Sequence, residues 1–545
     1  MTSKKIPTFN DWPNDIGFTT HEEQSDPVDL EVIGTIPAYV SGTLYRASTA
    51  GNSIPLSETT TLPLSHWFDG LATVHRFTIS PPSSGTAAAK IAHTSRLTSS
   101  GILTRVRRTG SLSGFTFGQK HDPCESLYAK FKTCFFGANS GFATADKNDE
   151  EEIRSCMNVG VTISTDFPGI DAGGKVVVAK TDAAVMQLLN ASTLKPEKYL
   201  LQKNLHPDLR GPLSTAHART DPLTGDLYNY NLDMHVRSSN YRVFRTRRDT
   251  GATEILATIK DAPPAYIHSF WMSENYLVLC IWNSRFGWGG AKCFWEKNFV
   301  DAIADWDPHA KSIFYVIDKK GGKGVIAKFV DDVPFFVFHT IGAWEEEEGG
   351  DLVLEALSYD NVDVIKRFYY ENILASNVEN GKAWLGRGRT KLTRWRLANI
   401  LNTKGNVTPA LRESSVAGEW GMELPTVNPH FVAKKNRYIY GITSTTASNF
   451  MDGILKYDTT THSATHWQVH AHTPGEAVFV PDPSGTAEDD GVLLSVVLDG
   501  ISGKTYLLIL DARDMTEVAR AETKIVVGFG FHGKWDQEGV LGVEY

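Results

Sequence analysis

Metal chemistry is the first thing the residue types suggest. The chain carries seventeen histidines, so context has to sort ligands from the rest. His217 ends Ser214-Thr-Ala-His217 and precedes the strand-forming run Asp226-Leu-Tyr-Asn-Tyr230. His268 lies in Tyr266-Ile-His-Ser-Phe270, His339 follows Phe335-Phe-Val-Phe338, and His532 sits in Gly528-Phe-Gly-Phe-His-Gly533. Each is flanked by apolar residues or glycine at a strand end, where an imidazole points inward. Singly, each reads as a hydrogen-bonded core histidine. Together, four inward imidazoles from well-separated strands predict one axial metal site.

Three other constellations carry less. Gly528-x-Gly530-x-x-Gly533 has dinucleotide-fingerprint spacing, but only twelve residues follow it. That leaves no room for the required helix, nor for an acidic residue about 20 positions on. His466, His470 and His472 form a tighter cluster, with the last two expected on one strand face; solvated strand histidines are the expectation. The run Glu345 to Glu348 is expected to be a solvated loop, not a calcium site.

Short strands must position these groups, because long amphipathic helical patterns are scarce. One unit recurs: an apolar strand, then Asp or Asn, a turn, and another strand. It occurs at Leu188 to Leu194, Phe314 to Asp318, Ile454 to Thr459 and Leu507 to Asp511. The polar residue suits the turn because its side chain bonds backbone two residues on. Radial repetition of four-stranded blades gives this pattern, so an all-β propeller is expected. No linker divides the chain, and residues 1–545 are read as one domain.

The sequence resembles the carotenoid cleavage oxygenase family over most of its length. The resemblance rests on Thr-Ala-His217 with Asp-Pro-Leu-Thr-Gly225 after it, His268-Ser-Phe with Glu-Asn-Tyr276 after it, Phe-His339 and Phe-His532-Gly. It implies a seven-bladed β-propeller with iron on the axis and a cap of loops and short helices. It also implies one Fe(2+) held by His217, His268, His339 and His532, with dioxygen as co-substrate. Four neutral imidazoles leave two octahedral positions open. Carboxylates behind the histidines are implied at Glu423, in Met422-Glu-Leu-Pro425, and at Glu476, in Pro474-Gly-Glu476. The family's third glutamate falls at Asp182. It is one methylene shorter, so it is expected to reach its histidine through water or not at all.

The implied activity is oxidative cleavage of a conjugated carbon–carbon double bond, on a carotenoid or apocarotenoid. The same chemistry on a phenolic alkene (a stilbene or phenylpropene) is the alternative, and a retinoid-type isomerase using iron as a Lewis acid is another. Stilbene cleavers of the family place a lysine directly before the carboxylate at the Asp182 position; here that residue is Thr181, with Lys180 one further away. Asp122 to Asn139 resembles the membrane-facing helix of the animal-type branch. It predicts peripheral membrane contact through Phe135 and Phe136, with Cys124 open to palmitoylation.

Bulk properties agree with an enzyme. Hydrophobic residues make up 41% and charged residues 21% of 545, an ordinary globular balance. A net charge of −9 argues against nucleic-acid binding. Five cysteines without CxxC spacing read as reduced thiols of a cytoplasmic protein.

Overall fold

The computed structural model describes residues 11–81, 89–112, 114–120, 145–170, 175–235, 238–346, 350–403, 405–418 and 421–538. Seven antiparallel-based sheets are arranged as the blades of a β-propeller, as expected, and Ser53–Pro55 and Thr61–Pro63 form a separate two-stranded hairpin. From the inner strand outwards, blade 1 is Gly530–Asp536, Gly42–Ala50, Leu71–Ser80, Lys90–Leu97 and Val28–Leu30. Blade 2 is Thr162–Ser164, Val176–Lys180, Val185–Asn190 and Pro196–Leu201, and blade 3 is Arg219–Thr220, Leu227–His235, Ser238–Thr246 and Thr253–Ile259. Blade 4 is Trp271–Met272, Tyr276–Ile281, Ser312–Asp318 and Val325–Asp331, with Val407–Pro409 added in parallel at its outer edge. Blade 5 is Phe336–Glu345, Leu352–Tyr359, Lys391–Leu397 and Leu411–Ala417. Blade 6 is Met422–Thr426, Tyr438–Thr443, Gly453–Asp458 and Ser463–Trp467. Blade 7 has His472–Pro474 and Val478–Pro481 inside, then Gly491–Asp499, Lys504–Asp511, Glu517–Glu522 and Val32–Gly34.

Both ends of the chain close the ring. Gly42–Ala50 pairs with Gly530–Asp536, and Val32–Gly34 pairs with Glu517–Glu522. The four recurring strand–turn units are the third strands of blades 2, 4, 6 and 7 with the turns that follow. In three of them the polar residue does what its type predicts. Asn190, Asp458 and Asp511 each accept the backbone N–H two residues on, at 3.1, 2.8 and 2.9 Å.

Blade packing explains the near-continuous apolar runs. In Lys504–Asp511, Leu507 and Ile509 join the core shared with blade 1, whereas Leu508 and Leu510 join the core shared with blade 6. A strand with both faces covered has no reason to alternate with polar residues.

Connections from second to third strands, and from one blade to the next, emerge on one face of the ring; the others emerge opposite. The short helices therefore share a face. Ser100–Thr109 and Glu150–Arg154 link blades 1 and 2, Ala291–Glu296 and Phe299–Ala302 interrupt blade 4, and Asp363–Arg367, Tyr370–Ile373 and Val378–Trp384 interrupt blade 5. Among the described residues, no helix is long and apolar enough to cross a membrane. Asp122 to Asn139, including Cys124, Phe135 and Phe136, lies outside them.

Candidate metal centre

The seven blades each bring one side chain towards the axis. His217, His268 and His339 come from blades 3, 4 and 5, and His532 comes from the strand that closes blade 1. Asp182, Glu423 and Glu476 come from blades 2, 6 and 7. Three of the seven lie at breaks in strand register. The pairing shifts between Val337 and Thr340 around His339, between Arg46 and Ser48 opposite His532, and between Glu423 and Thr426. Such bulges re-aim a side chain while leaving the sheet intact. Leu424 beside Glu423 takes a left-handed φ of 46°, the local strain of that bend.

The four histidines are buried, and each offers one nitrogen within 4.8 Å of the others. Nε2 of His339 lies 3.2 Å from Nε2 of His532. Nε2 of His217 is buried with no hydrogen-bond partner. Buried imidazole nitrogens aimed at one another and left unsatisfied are costly unless a cation takes their lone pairs. The outer nitrogens of three of them are engaged by carboxylates. His268 Nδ1 lies 2.7 Å from Asp182, His339 Nδ1 lies 2.5 Å from Glu423, and His532 Nδ1 lies 2.6 Å from Glu476.

Asp182 thus touches its histidine directly, against the expectation of a water bridge. The backbone makes up the missing methylene. Ser214 N–H donates to the Asp182 carbonyl at 2.8 Å and Ala216 N–H to its Oδ1 at 3.0 Å, which draws this loop against blade 3.

Burial sets the charge states. It holds His339 down at about 4 and His217 well below the usual imidazole range, the latter aided by the three neighbouring histidines. Burial alone would raise Glu423, but the facing His339 and hydrogen bonds from His339, Tyr359 and Leu424 outweigh it and keep the carboxyl low. Glu476 is likewise pushed up by burial and brought lower overall by His532, Arg46 and the Gly533 N–H. A neutral imidazole beside an ionised carboxylate donates from Nδ1 and presents a lone pair at Nε2. These residues therefore fit a divalent ion of nitrogen preference.

Two cavities meet at the histidines. The one under the helical face, about 420 Å³, reaches His268, His339 and His532. Its walls include Trp67, Phe68, Phe117, Phe338, Phe368 and Phe531. The other, about 650 Å³, opens on the opposite face and reaches His217, His339 and His532. It is lined with Asp221, Glu274, Lys319 and Lys434. An apolar molecule and a small polar one can thus approach from different sides.

The remaining motifs resolve simply. Gly530 begins a strand, and a Cβ on it would strike the Ala47 carbonyl, so close strand approach accounts for this glycine. His466 lies on Ser463–Trp467 and His472 begins His472–Pro474, while His470 is in the turn between them and packs edge-on against Trp12. His470 and His472 do not share a strand because the chain reverses there. Glu345 accepts from Ser273 Oγ and from the backbone and side chain of Asn275, each at 2.8 Å; Glu347 and Glu348 lie outside the described residues. Among the described residues, the four axial histidines are the one group of His, Cys, Asp or Glu close enough to share an ion. Sequence reasoning missed the aromatic wall, Arg46, Tyr266 and Tyr359. Only Tyr266 left a signal, two residues before His268 on the same side of the chain.

Comparison with known proteins gives a consistent picture. The family model described as retinal pigment epithelial membrane protein matches residues 17–537. A carotenoid dioxygenase of Neurospora crassa is 37% identical, over 96% of this chain and 91% of that protein. A torulene dioxygenase of Gibberella fujikuroi is 36% identical, over 96% of this chain and 94% of its own length. Human beta,beta-carotene 15,15'-dioxygenase is 25% identical, over 94% and 92% respectively. Among solved structures, a variant of the Synechocystis apocarotenoid oxygenase superposes with a TM-score of 0.74 at 20% identity, covering 98% of this chain and all of that one.

Proposed function

The chain belongs to the carotenoid oxygenase family, whose model is described as retinal pigment epithelial membrane protein, and from that membership we propose that it is an Fe(II)-dependent dioxygenase cleaving a conjugated double bond of a carotenoid or apocarotenoid. The observation that carries this reading is the set of four buried imidazoles at the floor of an aromatic cavity. We take residues 1–545 as one domain, because both chain ends complete blades of the same ring.

His217, His268, His339 and His532 hold the ion, and Asp182, Glu423 and Glu476 fix the tautomers of His268, His339 and His532. These four neutral nitrogens would suit ferrous iron, which when bound would supply the activation of dioxygen that cleavage of the double bond requires. Trp67, Phe68, Phe338 and Phe531 pack along the polyene and exclude water. The products are two carbonyl compounds. Thr181 lines this cavity where phenol cleavers of the family carry lysine, which favours a polyene. The names carotenoid dioxygenase and torulene dioxygenase among the relatives support the same substrate class.

The test is incubation of iron-loaded protein in air with β-carotene, torulene, an apocarotenal, resveratrol and isoeugenol, followed by chromatography of the aldehydes. An apocarotenoid aldehyde carrying label from labelled dioxygen supports the proposal. A benzaldehyde-type product from the phenols alone overturns the substrate, and an isomer without oxygen uptake overturns the reaction.

A further inference from the structure

The three carboxylates are not equivalent. Each accepts a histidine N–H and one backbone N–H, the latter from Ala216, Leu424 and Gly533. The third donor differs. Asp182 takes the phenol of Tyr266 at 2.8 Å, and Glu423 takes that of Tyr359. Glu476 takes the guanidinium of Arg46, with Nη1 3.3 Å from Oε2. Among the described residues, Arg46 is the one permanent cation in contact with these carboxylates.

Arg46 is 3% exposed, and its Nη2 has no hydrogen-bond partner. Gly475 leaves room for it, since a Cβ there would stand 2.5 Å from Nη2. A buried cation with its Nη2 donors unused is costly. It is also more than Glu476 needs, because a phenol serves the other two carboxylates.

We propose that Arg46 is a positioning residue that sets the charge of the site, acting through Glu476 and His532 to favour ferrous over ferric iron. A carboxylate behind a ligating imidazole raises its basicity and so favours the more highly charged ion. Ion pairing to Arg46 draws charge from Glu476, and the guanidinium itself opposes a third positive charge in a site of low dielectric. The His532 arm is thus a weaker donor than the His268 and His339 arms, and the iron stays in the oxidation state that meets dioxygen.

This inference rests on the iron reading above, and its experiment separates the two. Wild type, Arg46→Met, Arg46→Lys, Glu476→Gln and the double variant Arg46→Met/Glu476→Gln are loaded with iron. The Fe(III)/Fe(II) potential is measured by spectroelectrochemistry and the Co(II) affinity by competition. Arg46→Met is expected to shift the ferric-to-ferrous preference about tenfold towards ferric, which is about 59 mV for one electron. Arg46→Lys keeps the charge and is expected to hold the wild-type potential. Should Arg46→Met not fold, a smaller shift towards ferric is expected on passing from Glu476→Gln to the double variant, since only the guanidinium's own charge then acts, and no shift there would overturn the inference. Loss of Co(II) affinity with an unmoved potential would show a structural role and overturn the inference, as would failure of lysine to rescue. Wild type that binds no iron overturns the underlying reading as well.

Discussion

Glutamine at Glu423 and at Glu476 removes the same charge, yet the two changes should differ tenfold in their effect on iron affinity. At Glu423, Oε2 accepts both His339 Nδ1 at 2.5 Å and the Leu424 N–H at 3.0 Å, while Oε1 faces the Tyr359 hydroxyl. An amide oxygen in the Oε2 place keeps both bonds. The amide NH₂ then meets a hydroxyl that turns to accept, so only the charge assistance is lost. At Glu476, Oε1 accepts from His532 at 2.6 Å and Oε2 from Gly533 N–H at 2.5 Å and Arg46 at 3.3 Å. Whichever way the amide turns, its NH₂ faces a donor. Either His532 loses its acceptor, or two donors are left unsatisfied. Losing a partner behind a metal ligand costs roughly 10–100-fold in affinity. Glu423→Gln is placed near the lower bound, about 1.4 kcal/mol, and Glu476→Gln near the upper, about 2.7 kcal/mol. Titration of apo protein with Fe(II) against a competing chelator, without oxygen, reads both. If Glu423→Gln weakens binding as much as Glu476→Gln, the hydrogen-bond reasoning is wrong.

Four shorter expectations follow, three from the site and its surroundings and one, on Phe135 and Phe136, from the sequence alone. His339→Ala should abolish iron binding by metal analysis, since the lost nitrogen is one of four; full occupancy would refute the ligand set. Acid should destabilise the apo protein between about pH 6.5 and 4. His93 and His339 are held at about 4 by burial, so the unfolded chain binds the extra protons and stability falls as pH falls, by about 3 kcal/mol for each. Asp69, raised to about 6 by burial, opposes one of these by about 3 kcal/mol, and urea melts at pH 7 and 4.5 give the balance. Alanine at both Phe135 and Phe136 should reduce flotation with liposomes, and unchanged flotation would remove the membrane reading of Asp122 to Asn139. Fe(II) at 1,000 times its Kd should stabilise the fold by about 4 kcal/mol, and identical apo and loaded melting curves would exclude a built site.

The inward histidines were legible because each stands among apolar residues at a strand end. The third strands of blades 2, 4, 6 and 7 were legible because an Asp or Asn closes them. Outer strands and crossings were not: Leu411–Ala417 is largely exposed, and nothing local says which strand it borders. The carboxylates came from family resemblance rather than from pattern, since an acid at a register break looks like an acid in any loop. Asp182 was misjudged in reach because side-chain length is visible in a sequence, whereas the approach of Ser214 and Ala216 backbone is not. Arg46 left no trace, because it lies 430 residues from the glutamate it contacts.

That separation bears on how the site comes into being. His532 sits on the last strand of the ring, paired to Gly42–Ala50, and its carboxylate comes from the neighbouring blade 7. Arg46 lies on Gly42–Ala50 itself. The final arm of the centre therefore exists only once the two ends of the chain have met. The other arms join blades as well: Asp182 of blade 2 contacts His268 of blade 4, and Glu423 of blade 6 contacts His339 of blade 5. An ion held by the four histidines would tie blades 1, 3, 4 and 5 directly, and the carboxylates would extend the tie to blades 2, 6 and 7. Ring closure and metal binding would then be coupled, since an ion held by all four histidines would bind the closed ring and not its separated parts. A propeller needs something to stop its first and last blades parting, and here strand pairing and the candidate metal centre lie at the same seam.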